Sequence, residues 1–185
     1  GALEFAETLV AAGIQPIIGC SLALSSGHEA DVGRAGQWSS APKRNLTFPS
    51  IALLAQSREG YENLMTLSSL AYKNGRDEAA AHLLLDHVKT YATGLIALTG
   101  GREGPVDDYL SRHMADAAKD LLGELAKIFP GKLYVELQRH GDEISQRTVP
   151  MLVDFAYDLD LPLVATNEPY FMSPDLAEAH DALLC

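Results

Sequence analysis

The amino-acid sequence predicts an α/β domain in which helices alternate with short strands around a parallel sheet or barrel. Apolar runs of strand length recur along the chain, as at residues 94–99 and 161–166. Between these runs, apolar residues repeat every three or four positions, which is the period of an amphipathic helix. Regular alternation of the two patterns is typical of βαβ units.

Composition limits the kinds of partner that the chain can have. Of its 185 residues, 47% are apolar, which suffices for one domain with a core. No apolar run is long enough to cross a bilayer, so we expect no membrane contact. The net charge of -11 predicts little direct DNA contact, because duplex binding depends on neutralising phosphates. Cys20 and Cys185 lie far apart without metal-ligand spacing, which favours a reducing cytoplasm.

The first half of the chain contains two predicted helices and two predicted strands. Apolar positions at helical spacing predict a helix over residues 4–12, and an apolar run predicts a buried strand over residues 16–24. Serine, glycine and scattered charges then predict a long polar loop over residues 25–46. A second strand is expected at residues 51–55. Ser57 is a suitable N-cap for the helix that follows.

The second half repeats the alternation of helix and strand. A helical stretch is expected at residues 83–91. One long helix is expected at 107–129, where Leu110, Met114 and Leu121 belong to an apolar stripe. Two further helices are predicted at residues 145–159 and 174–184. The remaining segments are predicted strands, at residues 94–99, 132–140 and 161–166.

Polar residues near the predicted strand ends are the first candidates for a site. Ligands of open sheets and barrels bind at the carboxyl ends of the strands. This rule directs attention to Ser21 and to residues 100–104, 138–140 and 166–170. Strand alternation also places Tyr134, Glu136, Gln138 and His140 on one face. Glu136 and His140 could together bind a metal or move a proton, or Glu136 could pair with a basic residue while His140 caps a loop.

The glycine-rich segment at residues 100–104 has two interpretations. It follows a predicted strand and precedes a predicted helix, so its backbone amides could bind a phosphate. However, it matches neither of the common glycine-rich nucleotide motifs. We therefore favour a tight turn.

Collinear segments of the chain resemble the PHP domain of bacterial DNA polymerase III alpha subunits. They are GIQPIIGC at 13–20, IALLAQSREGYENLM at 51–65, GLIALTG at 94–100, YVELQRHG at 134–141, LPLVATNE at 161–168 and AHDALLC at 179–185. The resemblance implies a distorted, seven-stranded β/α barrel with a metal-binding cleft. The family's first two motifs should lie upstream of Gly1. We therefore expect residues 1–185 to form a single partial PHP domain, an incomplete barrel without its first strand units.

The resemblance also implies where the family's metal ligands would lie. The matching positions, where the family has Glu, His, Cys, Asp and His, are Ser21, Ser50, Gly101, Glu168 and Tyr170. Only Glu168 keeps a good ligand, because serine and tyrosine hydroxyls bind such metals poorly and glycine has no side chain. We expect no metal and no catalytic residue in this chain. Residual cleft residues would be Glu136, Gln138, His140 and Asn167.

By resemblance, the leading hypothesis is a scaffold in DNA replication. The domain would support the other domains of a DNA-directed DNA polymerase, a nucleotidyltransferase, and dock its proofreading exonuclease subunit. The polymerase's Mg²⁺ site, in its palm, and its fingers and thumb would lie outside this chain. We expect the chain alone to be inactive, and its open barrel edge to be covered by a dimer or by its own loops.

The alternative hypothesis is a metal-dependent phosphoesterase or 3′-to-5′ proofreading exonuclease. It would use Zn or Mn in the cleft, with Glu136, His140 and Glu168 as residues of the site. A stand-alone phosphatase resembling histidinol phosphatase is disfavoured, because the matching segments are those of the polymerase branch.

Overall fold

A computed structural model describes residues 2–26, 48–75, 80–139, 141–167, 169 and 172–184. The helices are α1 (Ala2–Ala11), α2 (Arg58–Asn74), α3 (Leu85–Thr90), α4 (Pro105–Ser111), α5 (Ala115–Ile128), α6 (Glu143–Asp158) and α7 (Ala177–Leu184). The strands are β1 (Gly19–Ser25), β2 (Ser50–Ala55), β3 (Leu83–Leu84), β4 (Leu95–Leu98), β5 (Leu133–Leu137) and β6 (Leu163–Ala165). Short 3₁₀ helices span Gly101–Glu103 and Pro174–Leu176. None of the described helices is long and apolar enough to span a membrane.

The described strands form one mostly parallel sheet in the order β3-β1-β2-β4-β5-β6. Strands β1 and β3, β4 and β5, and β5 and β6 pair in parallel. Strand β2 runs antiparallel to both of its neighbours. The carboxyl ends of β1, β4, β5 and β6 therefore lie at the same edge as the amino end of β2. The predicted α/β class is confirmed.

The two faces of the sheet differ in burial. Alternate residues of β1, β2, β4 and β5 are buried and form the core with the helices, including Leu24, Leu53, Ala97 and Val135. The intervening residues of β1, β2 and β4 are only half-buried or exposed. This alternation follows from the two-residue period of a strand, and it puts the polar residues of neighbouring strands on one face.

Helix α2 begins as the sequence predicts. The Ser57 side chain accepts a hydrogen bond from the Gly60 amide at 3.1 Å, which caps the helix. Leu64, Leu67 and Ala71 are buried on one face. The predicted helix and N-cap are confirmed.

The single helix predicted over residues 107–129 is wrong. The chain forms α4, turns at residues 112–114 and continues as α5. His113 lies at the turn with a φ of 62°, and the Met114 amide donates to the Tyr109 carbonyl at 2.9 Å. The apolar stripe continues through both helices, and neither glycine nor proline marks the break.

Smaller differences concern where elements begin. Strand β1 starts at Gly19, three residues later than predicted, and extends to Ser25, where the polar loop was expected. The rest of that loop, from residue 27 onward, lies outside the described residues. The helix expected at residues 83–91 begins instead with the two-residue strand β3, which pairs with the end of β1.

Candidate functional site

A left-handed glycine turn follows β4 at the carboxyl edge of the sheet. Gly100 and Gly101 have φ angles of 90° and 54°. A Cβ on Gly100 would lie 1.9 Å from the Ser50 carbonyl oxygen, so glycine is required for both conformation and space. The predicted tight turn is confirmed. Two of its amides are already bonded, because Gly100 donates to Glu136 at 3.0 Å and Arg102 donates to Gln138 at 3.2 Å.

Glu136 is the centre of a buried hydrogen-bond network at this edge. Its Oε2 accepts from the Gly100 amide, and its Oε1 accepts from the Thr166 hydroxyl at 2.5 Å. Its own amide donates to the Thr99 hydroxyl oxygen at 2.9 Å. Gln138 Nε2 also donates to the Thr166 hydroxyl, at 3.2 Å. Within the described part of the chain, Glu136 does not pair with a basic residue as expected, and a backbone amide and a threonine hydroxyl hold its carboxylate.

Thr166→Val is expected to lower the free energy of unfolding by about 2 kcal/mol, because it removes a hydrogen-bond donor from the buried carboxylate of Glu136. Urea denaturation at pH 7 measures the change. The control is Thr90→Val, whose hydroxyl bonds to a backbone carbonyl on the exposed surface. It should change stability by about 0.5 kcal/mol or less. If the two substitutions lowered the free energy of unfolding equally, the Glu136 hydrogen bonds would not stabilise the fold more than an exposed hydrogen bond does.

Asp107, in the first turn of α4, is a buried carboxyl beside this network. It is 7% exposed, and its Oδ1 accepts from the Thr148 hydroxyl of α6 at 3.2 Å. Its Oδ2 has no hydrogen-bond partner in the described part of the chain. Burial raises the pKa of Asp107 to about 7, and repulsion from Glu136 adds to this effect, whereas the Thr148 hydrogen bond opposes it.

Thr148→Val is expected to raise the pKa of Asp107 further, because valine removes the hydrogen bond that stabilises the carboxylate. Carbon-13 NMR of the carboxyl group across pH 5–9 measures the shift. A pKa that stays the same or falls would show that Thr148 does not stabilise the charged form.

Glu136, Gln138 and Asp107 share one pocket of about 120 Å³. Its wall comes from the glycine turn, α4, the end of β5 and the first two turns of α6. The lining residues are Gly101, Arg102, Asp107, Asp108, Ser111, Glu136, Gln138, Ile144, Ser145, Thr148 and Val149. Arg102 lies at the rim, where its guanidinium is 3.3 Å from the carboxylate of Asp142, the N-cap of α6.

The structure brings some of the sequence-predicted residues together and separates others. Gly101, Glu136 and Gln138 meet in the pocket. Ser50 begins β2 near the glycine turn and lines a neighbouring cleft with Arg102 and Arg112. Asn167 is exposed after β6 and lines a groove of about 590 Å³ with Thr166 and Leu137.

Ser21 does not lie at the carboxyl end of β1, as the strand-end argument expected. It is the third residue of the strand and pairs with Ala52, whereas Ser50 pairs with Ala23. The strand continues for four residues beyond Ser21, to Ser25, and this places Ser21 away from the carboxyl edge. His140, Glu168 and Tyr170 lie outside the described residues.

The described residues at the family-matched positions do not fit a metal cluster. Ser21 and Ser50 offer only hydroxyls, and Gly101 offers no side chain. A Cβ at Gly101 would lie 2.4 Å from the Gln138 side-chain amide, so Gln138 fills the space that a ligand side chain would need. Among the described residues, no group of three or more His, Cys, Asp or Glu is arranged to hold a metal ion.

Sequence reasoning missed Asp107 and Thr148, and it missed the role of Thr166. Asp107 lies three residues before Leu110, on the apolar stripe of the helix, and a carboxylate at that position is a detectable signal of burial. Thr148 is 41 residues away in sequence and carries no signal of its contact with Asp107.

The fold and the glycine turn agree with a match to a known protein family. The model of the PHP domain matches residues 1–140, and the chain belongs to this family. It is similar to proteins named DNA polymerase III subunit alpha. The relative from Caulobacter vibrioides is 41% identical over 185 residues, which cover 100% of this chain and 15% of that protein.

More distant relatives carry the same name. The protein from Pseudomonas aeruginosa is 32% identical over 183 residues, or 99% of this chain and 14% of that protein. The protein from Thermus aquaticus is 31% identical over 186 residues, or 100% of this chain and 14% of that protein. The chain thus spans 14–15% of the length of these curated relatives.

Proposed function

We propose that this chain is an accessory PHP domain of a replicative DNA polymerase alpha subunit and that it acts as a scaffold without a metal-dependent activity of its own. The observation that carries the proposal is the set of residues at the family-matched positions, where Ser21 and Ser50 offer only hydroxyls and Gly101 has no side chain. A cleft with serines at two ligand positions and glycine at a third lacks the donors that a metal cluster needs. The names of the relatives support the place of the domain in replication.

Helix α1 supports the scaffold function by offering an apolar contact surface. None of its residues is buried within the described part of the chain. Leu3, Phe5 and Val10 are 73%, 52% and 64% exposed. Exposed apolar side chains grouped on one short element are typical of contact surfaces. We propose that α1 packs against another domain of the polymerase polypeptide.

The acidic charge supports a protein partner over DNA. With 14 basic and 25 acidic residues, the surface repels phosphate. We propose that this domain docks the proofreading exonuclease subunit, and that the polymerase acts in the cytoplasm. The dimer expected from the sequence stays a prediction.

Limited proteolysis and thermal melting of the polymerase polypeptide test the scaffold proposal. The double substitution Leu3→Ser and Val10→Ser should lower the melting temperature and speed cleavage between the domains, because it removes apolar contact area. The matched control is Tyr157→Ser on α6, whose side chain is also largely exposed at 77%. If both variants had the same melting temperature and the same rate of cleavage, the proposal that α1 packs against another domain would be contradicted.

Docking of the exonuclease is tested separately by size-exclusion chromatography of the polymerase polypeptide mixed with the exonuclease subunit. The proposal predicts co-elution that is lost when residues 1–185 are deleted from an otherwise folded polymerase. Co-elution that survives the deletion would place the docking surface elsewhere.

A further inference from the structure

The pocket beside Asp107 contains a buried acceptor that has no donor. Asp107 is 7% exposed, and its Oδ2 has no hydrogen-bond partner among the described residues. A buried polar oxygen left without a partner is costly, and native proteins rarely keep one. Asp107 lines a pocket of about 120 Å³, and rotation of its carboxyl toward that pocket would let a ligand supply the missing donor.

The charges that face the pocket make it a site for a cation. Its charged lining residues are Arg102, Asp107, Asp108 and Glu136. Arg102 is paired with Asp142 outside the pocket, and Asp108 is paired with Arg112. The carboxylates of Asp107 and Glu136 therefore remain without a basic partner in the described part of the chain.

The hydroxyl groups of the lining also favour a donor ligand. The Ser111 hydroxyl donates to the Asp108 carbonyl at 2.8 Å, and the Ser145 hydroxyl donates to the Asp142 carbonyl at 3.0 Å. The Thr148 hydroxyl donates to Asp107. Each of these hydrogens is used, so the hydroxyl oxygens face the ligand only as acceptors.

The size and shape of the pocket favour an organic cation over a metal ion. No group of three or more His, Cys, Asp or Glu in the described chain is arranged to hold a metal. A volume of about 120 Å³ exceeds the roughly 30 Å³ that one water occupies in the liquid. A planar guanidinium has five N–H donors and can bond a carboxylate and neighbouring hydroxyls at once.

We propose that this pocket binds the guanidinium group of an arginine side chain presented by a protein partner, with Asp107 as its principal acceptor. Ile144 at the rim is 39% exposed, so the pocket opens at the surface and the arginine stem can lie along this apolar side chain. The pocket is separate from α1, and the proposal stands whether or not the chain is a polymerase scaffold.

Two blocked amino acids test the proposal on the wild-type protein. Acetyl-arginine methylamide has the guanidinium group, and acetyl-citrulline methylamide has nearly the same shape without the charge. Each is titrated at pH 8 while the backbone amides of Gly101 and Thr148 are followed by NMR. The arginine compound should give saturable shifts at both amides, and the citrulline compound should bind at least about tenfold more weakly.

The pH dependence gives a second readout that needs no variant. The ligand requires the ionised form of Asp107, whose pKa is about 7, so apparent affinity should fall about tenfold from pH 8 to pH 6. Asp107→Asn should weaken binding by about tenfold or more, while Asp154→Asn, on an exposed position of α6, should leave it unchanged.

Three results would overturn the proposal. One is the absence of saturable shifts with the arginine compound, as expected if Arg102 turned inward and filled the pocket. Another is equal binding of the arginine and citrulline compounds, which would mark a neutral site. The third is unchanged binding by Asp107→Asn. If that variant does not fold, the comparison of the two compounds on the wild type decides alone.

Discussion

Gly60→Ala is expected to lower the free energy of unfolding by about 3 kcal/mol. Gly60 lies in the first turn of α2, and a Cβ there would meet the Gly94 carbonyl oxygen at 1.8 Å. The obstacle is backbone rather than a side chain that can rotate away, so the helix must move off the turn before β4. That movement also disturbs the Ser57 cap, which bonds to the Gly60 amide.

The matched control is Gly123→Ala in the middle of α5, where a Cβ would meet nothing within 4 Å. This substitution should raise stability by up to about 1 kcal/mol, because alanine is the better helix former. Urea denaturation of both variants measures the contrast. The free energy of unfolding should fall for Gly60→Ala and rise for Gly123→Ala. If Gly60→Ala proved neutral, α2 would not pack on Gly94 as closely as described.

Asp107→Asn is expected to change the pH dependence of stability strongly. Burial raises the pKa of the folded carboxyl to about 7 from the ordinary 3.8, so the folded chain holds the proton more tightly than the unfolded chain. The stability contributed by Asp107 is therefore fully present below pH 3.8 and is lost as pH rises through about 7. Between pH 5 and pH 8 the loss is about 2.5 kcal/mol.

Asparagine cannot ionise and retains an oxygen that can accept from Thr148. The stability of Asp107→Asn relative to the wild type should thus rise by about 2.5 kcal/mol between pH 5 and pH 8. Urea denaturation at several pH values, without added arginine compounds, measures the difference. Asp154→Asn is the control and should follow the wild-type profile. If the free energy of unfolding changed with pH in the same way for wild type and Asp107→Asn, the pKa of Asp107 would not be raised in the folded chain.

Local patterns predicted most of the elements because their causes are local. The N-cap at Ser57, the apolar face of α2 and the strand run that became β4 each depend on residues close in sequence. The glycine turn was also predictable, since two consecutive glycines after a strand end it. The rule that ligands bind at the carboxyl ends of strands also correctly predicted that Gly101 and Gln138 lie at the same edge of the sheet.

The parts that could not be predicted depend on contacts between distant segments. Strand direction is not encoded in apolar alternation, so the reversal of β2 was not foreseen. The break at His113 allows α4 and α5 to pack separately, and no breaker residue announces it. In the sequence, Asp107 was only the first residue of the helix predicted over residues 107–129, and its partner Thr148 could not be identified. The burial of Asp107 depends on α6, which supplies Thr148 from 41 residues later in the sequence.

The family resemblance added what local patterns could not, namely which positions a metal cluster would use. At one of those positions, Gly101, a larger side chain would require the Gln138 side chain to move, and the φ of 54° is strained for a residue with a Cβ. The buried amide of Gln138 bonds both Arg102 and Thr166. A ligand side chain at position 101 would therefore have to displace a residue that ties the turn to β5 and β6.

The most direct test of the scaffold function is to measure metal content and single-stranded DNA hydrolysis of the complete PHP domain, with zinc and manganese supplied. We predict no stoichiometric metal and no cleavage, with the domain remaining folded by circular dichroism. Bound metal together with cleavage that a chelator abolishes would contradict the account, and would make this domain a proofreading nuclease.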